Sequence, residues 1–229
     1  MALYTIGDLH LSLSSDKPME VFGPGWANYV ERIREGFSTL CEDDVTVLCG
    51  DLSWGMSLEE SLEDLRFIDA LPGKKLLLKG NHDYWWNTAA KMKKFFADHE
   101  ITTLDILHNN CHLYGDLALC GTRGWFYELD DRDTHDEKVF LRELGRLETS
   151  LQMAGDREKL CFLHYPPRYR GYECPEILAL LRKYGVTVCC YGHLHGAALS
   201  RALEGPYDGT DFFLVSADYL RFVPKKICE

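Results

Sequence analysis

Five short apolar runs in this chain stop abruptly in histidine, or in glycine followed by aspartate, asparagine or histidine. Leu3-Tyr4-Thr5-Ile6 runs into Gly7-Asp8-Leu9-His10, and the run from Val45 to Cys49 ends in Gly50-Asp51. A third, Lys75-Leu76-Leu77-Leu78, reaches Gly80-Asn81-His82-Asp83. Residues 159–163 meet His164, and residues 186–191 meet Gly192-His193-Leu194-His195. Runs this short and continuously apolar are strands buried on both faces. Segments of helical spacing lie between them, such as Tyr29, Ile33, Phe37 and Leu40 in residues 26–41, or Leu58, Leu62, Leu65 and Ile68 in residues 57–70. Strands alternating with helices specify a layered α/β fold. Ligands of open α/β sheets bind beyond the carboxyl ends of the strands, so the five polar ends are predicted to converge there.

Further along, residues 87–99 read as a helix and residues 111–114 and 117–121 as a hairpin about Gly115-Asp116. The charged stretch at 128–138 leads into a helix carrying Phe140, Leu144, Leu147 and Leu151. A helix at 175–184 separates the last two apolar runs, and residues 197–203 and 211–215 are predicted to pair as a closing hairpin. No repeat interrupts the rhythm, and residues 1–229 read as one domain.

The charge balance excludes some functions. A net charge of −11 removes the basic footprint of a protein that tracks a nucleic-acid backbone, so extended nucleic acid is not an expected partner. No apolar run approaches the roughly 18–20 residues that span a bilayer. The first residues lack the basic-then-apolar pattern of a secretory signal. The nine cysteines contain no C-x-x-C pair, and several sit in the apolar runs, as Cys49, Cys189 and Cys190 do. They read as reduced thiols packed as small hydrophobes, which makes a cytoplasmic location the expectation.

Asp8, His10, Asp51, Asn81, His164, His193 and His195 are seven candidate ligands, more than one catalytic metal with an open position would use. They suffice for two divalent ions if one carboxylate bridges, and a sulfur-free set of carboxylates, imidazoles and one amide suits Mn, Fe or Zn. Two such ions outweigh the charge of two aspartates and attract a phosphate. Held roughly 3.5–4 Å apart, they clamp a phosphoryl group and bring the pKa of a shared water near neutrality. Phosphoester hydrolysis is the predicted chemistry.

The series GDLH, GD, GNHD, H-x-P and GHLH resembles the calcineurin-like metallophosphoesterase superfamily, over residues 7–196. The resemblance implies a four-layer α/β/β/α sandwich with mixed sheets. It implies one metal on Asp8, His10 and His195, another on Asn81, His164 and His193, and Asp51 bridging them. A metal-bridging hydroxide would attack, His82 would serve as acid near the leaving group, and Asp83 would orient His82. Serine/threonine phosphatases of that superfamily carry a second Asp followed by Arg-Gly, where this chain has Leu52-Ser53-Trp54-Gly55; their third block ends in Glu, not Asp83. Hydrolases of the lipid A pathway carry Arg at the place of His82. The expected substrate is a small-molecule or nucleotide-type phosphomonoester or diester.

Arg123, in Gly121-Thr122-Arg123-Gly124-Trp125, is the candidate to grip phosphate oxygens by its guanidinium fork, with Arg168 and Arg170 similar candidates. Trp54, Trp85, Trp86 and Trp125 could wall a pocket or pack loops. The competing reading is a metal-binding scaffold or partner-binding module on the same fold. Such a protein has no need of His82 or a complete ligand set. The tail from Asp218 onward carries no readable signal.

Overall fold

A computed structural model describes residues 1–125, 134–169 and 171–229; most of the charged stretch at 128–138, and Arg170, lie outside the described residues. The strands, in chain order, are β1 (Leu3–Ile6), β2 (Val45–Leu48), β3 (Lys74–Leu77), β4 (Leu104–Ile106), β5 (Cys111–Tyr114), β6 (Leu117–Thr122) and β7 (Glu158–Leu163). They continue with β8 (Arg168–Tyr169), β9 (Tyr172–Glu173), β10 (Val186–Tyr191), β11 (Gly205–Tyr207), β12 (Thr210–Leu214) and β13 (Lys225–Cys228). The helices are α1 (Tyr29–Phe37), α2 (Leu62–Asp69), α3 (Ala89–Asp98), α4 (Thr134–Met153) and α5 (Pro175–Lys183).

Apart from β8 and β9, which pair as a separate antiparallel ribbon, the strands form two mixed sheets. One runs β13-β1-β2-β3-β4, with β13 antiparallel to β1 and the others parallel. The second runs β11-β12-β10-β7-β6-β5, parallel from β12 to β6 and closed at each edge by an antiparallel hairpin. Strand periodicity of two sorts the side chains into layers. Leu3, Val47, Cys49 and Leu76 point from the first sheet onto Leu119, Leu160, Phe162 and Cys190 of the second. The alternate residues Ile6, Leu48 and Leu77 face Ile33, Phe37, Leu65 and Met92 of the first sheet's helices. Cys161, Leu163, Cys189 and Tyr191 face Leu147, Leu151, Ile177 and Leu181 of α4 and α5. Helix, sheet, sheet, helix is the expected four-layer sandwich.

Several local expectations are corrected. Residues 197–203 do not form the closing hairpin: a 3-10 turn occupies Gly196–Arg201, Ala202 makes an isolated bridge to Tyr169, and the closing hairpin is β11 with β12. Gly196 adopts φ +54, which swings the chain off the sheet immediately after His195. Residues 26–28 are not part of the α-helix: Pro24–Trp26 form a 3-10 turn and Asn28 is left-handed before α1. The uninterpreted tail supplies β13, an edge strand of the first sheet. Among the described residues no helix is long and apolar enough to cross a membrane.

Candidate metal centre

The two sheets meet at the carboxyl ends of their central strands. Gly7 donates its amide to Val215 (2.7 Å), Ala217 donates to Gly7 (3.0 Å), and Gly192 donates to the carbonyl of His164 (3.1 Å). These bonds draw the ends of β1, β12, β7 and β10 together. Two glycines allow the approach: a Cβ at Gly80 would fall on Asp51 Oδ1, and one at Gly192 on Asp8 Oδ2.

Asp8, His10 and His195 present ligand atoms all within 4.8 Å of one another, and so do Asp8, Asp51 and His164. Asp8 belongs to both groups. Asp51 Oδ2 lies 3.8 Å from His10 Nε2 and 3.6 Å from His164 Nε2, and so stands between them. Asn81 Oδ1 lies 2.7 Å from His164 Nε2 and 2.9 Å from His193 Nδ1. The seven candidate ligands are therefore brought together from five strand ends.

The donor set fits a cation. His164 donates Nδ1–H to the Cys49 carbonyl at 3.0 Å, leaving its Nε2 lone pair facing the oxygens of Asn81 and Asp51. Acceptors turned on one another call for a positive charge among them. Burial pushes His10 and His164 down to about 3 and His193 to about 4, so these imidazoles are neutral with lone pairs free to coordinate. His10 Nδ1 and His195 Nε2 are buried without a hydrogen-bond partner. Burial, with Asp83 and Asp8 nearby, holds Asp51 well above the usual carboxylate range: the protein supplies too little positive charge of its own. Burial opposes the charge of Asp8 as well, but the charged His195 beside it holds it low.

Asp218, which nothing in the sequence marked, accepts a hydrogen bond from His195 Nδ1 at 2.9 Å. Burial alone would lower His195, yet Asp218 and Asp8 carry it up to about 10. The bond aims Nε2 toward Asp8 Oδ1, 3.6 Å away. A carboxylate behind a ligand imidazole fixes its tautomer and raises its basicity.

His82 donates its backbone amide to Asp51 Oδ1 (2.8 Å), and its Nδ1 is buried without a partner. Burial lowers its pKa. Asp83 does not orient it. The Asp83 carboxylate is fully buried and accepts from the amides of Gly80 (2.7 Å), Asp51 (2.9 Å) and Leu52 (2.9 Å) and from Trp85 Nε1 (3.0 Å), with Ser53 at 3.4 Å. It ties the Gly50-Asp51 and Gly80-Asn81 turns together. Sequence pattern cannot distinguish a carboxylate aimed at an imidazole from one aimed at backbone.

Arg123 also departs from expectation. Its guanidinium lies 3.5 Å from buried Glu143 and 4.9 Å over Trp125, while its carbonyl accepts the amides of His164 (3.1 Å) and Tyr165 (2.9 Å). The arginine thus positions the His164 loop through its backbone. Arg168 pairs with Glu173 at 3.4 Å. Of Trp54, Trp85, Trp86 and Trp125, Trp54 reaches the centre, stacked on His10 with centroids 5.1 Å apart and 4.5 Å from His82. Trp85 and Trp86 pack with the helices of the first sheet. Trp26, read from sequence as a helix start, is the second aromatic wall, 5.8 Å from His10 and 5.7 Å from His195.

A family model described as calcineurin-like phosphoesterase matches residues 1–197. Among curated proteins none matches this chain. Of solved structures, phosphopantetheinyl hydrolase from Mycobacterium tuberculosis superimposes with TM-score 0.60 at 14% identity, over 99% of this chain and 95% of that one. A protein of unknown function from Aquifex aeolicus, AQ665, gives TM-score 0.51 at 14% identity, over 98% and 95%. TT1561 of Thermus thermophilus gives 0.50 at 12% identity, over 84% and 81%. These likenesses concern the fold.

Proposed function

The chain belongs to the calcineurin-like phosphoesterase family, and we propose that it is a dinuclear metal-dependent phosphohydrolase acting on a small-molecule phosphomonoester or diester. The observation that carries this reading is the convergence of Asp8, His10 and His195 with Asp51 and His164 in two groups that share Asp8. Asp8, His10 and His195 would hold one divalent ion, Asn81, His164 and His193 the other, with Asp51 between. Such ions (Mn, Fe or Zn) supply an activated water and a clamp for phosphoryl oxygens.

The chain's own groups do the rest. Asp218 and the Cys49 carbonyl hold the His195 and His164 rings with Nε2 facing inward. Asp83 fixes the spacing of the two aspartate- and asparagine-bearing turns. His82, neutral at rest, offers an N–H to the oxygen that departs and stabilises its charge. All nine cysteines are free thiols, in keeping with a reducing, cytoplasmic setting.

The test is metal content of the purified protein paired with hydrolysis of p-nitrophenyl phosphate and bis(p-nitrophenyl) phosphate with added Mn²⁺. The expected result is about two ions per chain, turnover of at least one ester, and loss of both in Asp51→Asn. Full activity in Asp51→Asn would overturn the two-ion reading, and metal without turnover of either ester would favour a binding role.

A further inference from the structure

A cleft of about 570 Å³ adjoins the candidate ligands, with His10, His82, His195 and Asp218 among its lining. That volume is within the range of small-molecule sites. Its walls are Trp26, Trp54 and Met19, contributed by the 3-10 turns at Met19–Phe22 and Pro24–Trp26 and by the segment after Asp51. The lining also includes two apolar residues from different segments, Phe22, 68% exposed, and Leu199 of the turn that follows His195. An exposed phenylalanine at a concave, continuous apolar surface marks a ligand site more often than a lone surface aromatic does.

The position of His82 says which part of a substrate lies there. If His82 faces the departing oxygen, as the proposed function has it, the cleft beside it holds the leaving alcohol. Among the described residues the lining carries no ammonium or guanidinium; Lys17, 4.5 Å over the Trp54 ring and near enough to act on His82, stands outside it. A leaving group bearing further phosphates would meet Asp218 and aromatic faces along the lining, with Lys17 outside it and the metal ions engaged by the ester phosphate. From this we infer that the enzyme selects phosphoesters whose leaving alcohol is an uncharged, apolar or aromatic body, seated against Trp26 and Trp54 with Phe22 and Leu199 in the same lining. This inference rests on the phosphohydrolase reading and adds the substrate class to it.

Normal-chain alkyl esters from ethyl to octyl test it, because lengthening the chain barely alters leaving-group acidity. For the mono- or diester series that the Mn²⁺-loaded enzyme turns over, kcat/KM should rise about two- to fourfold per methylene until the cleft is full. Phe22→Ser should flatten the rise while keeping the metal content and unfolding midpoint of the parent. A series turned over at equal kcat/KM, or a full rise surviving in Phe22→Ser, would overturn the assignment. Calorimetric binding of ethyl- to octylphosphonate to the same loaded protein separates the two readings. Affinity that climbs with chain length while no ester is hydrolysed would uphold the cleft and sink the phosphohydrolase. Turnover with flat affinity would do the reverse.

Discussion

Replacing Asp83 by alanine tests whether the centre is assembled by backbone pairing. The substitution strips acceptors from four donors at 2.7–3.0 Å, namely the amides of Gly80, Asp51 and Leu52 and the indole of Trp85, around a carboxylate with no exposed surface. Each buried donor left without a partner costs about 1–3 kcal/mol. Four of them bound the loss at about 4–12 kcal/mol, and water entering the vacated space places it near the lower end, about 4–6 kcal/mol. Domains of this kind are stable by about 5–15 kcal/mol, so the variant should be marginally folded. Urea unfolding of the chelator-treated protein, followed by far-ultraviolet circular dichroism, measures the loss. Asp83→Asn should fall between wild type and alanine, because an amide keeps one oxygen but turns its NH₂ toward donors. A change under about 1 kcal/mol in Asp83→Ala, with turnover lowered only for poor leaving groups, would refute this account and restore the role of orienting His82.

Other consequences follow from the same geometry. Asp218→Asn should weaken metal affinity about 10- to 100-fold, as loss of an outer partner of a ligand histidine does; unchanged affinity in a competition titration would remove Asp218 from the site. In chelator-treated protein His195 stays protonated up to about pH 10, against 6.5 for the free side chain, so its stabilisation is complete below pH 6.5 and fades as pH rises. Asp51, held high by burial, acts in the same direction, whereas His10, His164 and His193, held low, act below pH 6.5. Unfolding free energy should therefore fall between pH 6.5 and 8, with His195 contributing up to about 1.4 kcal/mol per unit, and Asp218→Asn should reduce that slope; a flat wild-type profile would contradict it. His82→Ala should keep both ions and lose most turnover on esters with poor leaving groups, and an equal loss on good and poor ones would argue against its acid role.

The ligands were legible because their chemistry coincides with a break in pattern: an apolar run that stops in Gly-Asp, Gly-Asn-His or Gly-His-x-His can be read without coordinates. The same runs say that strands are buried on both faces, but not whether one sheet or two does the burying. Only the alternation of Leu3 and Val47 against Ile6 and Leu48 in space separates the two cores. Asp218 was illegible because it stands 23 positions beyond His195 with no motif around it. It arrives through the Gly7 and Val215–Ala217 backbone bonds, which are contacts between sheets. Trp26 was misread because Trp26, Tyr29, Ile33 and Phe37 continue one helical face; left-handed Asn28, after the Pro24-Gly25 turn, interrupts it.

Four of the candidate ligands hold a backbone that side-chain-bearing residues adopt rarely: Asp8 at φ +57, His10 at +47, Asp51 at +52 and His193 at +74. The left-handed region costs roughly 1–2 kcal/mol per residue, less for Asp, Asn and His than for others. Glycine would be more comfortable at all four positions and could bind nothing. The strain persists because neighbours over-determine each turn: Asp8 donates to the Gly50 carbonyl (2.8 Å), His10 to that of Asp51 (3.0 Å), and His193 to the Asp8 carboxylate (3.0 Å). Each bond links one ligand-bearing loop to another, so no ligand can relax alone. The buried carboxylates add a second cost, visible in how far burial and its neighbours lift Asp51. Removing that charge as Asp51→Asn relieves the repulsion and keeps a residue type suited to the left-handed turn. A site that lowers stability in two separate ways, and is locked by cross-loop bonds nonetheless, is organised around cations that repay it on binding.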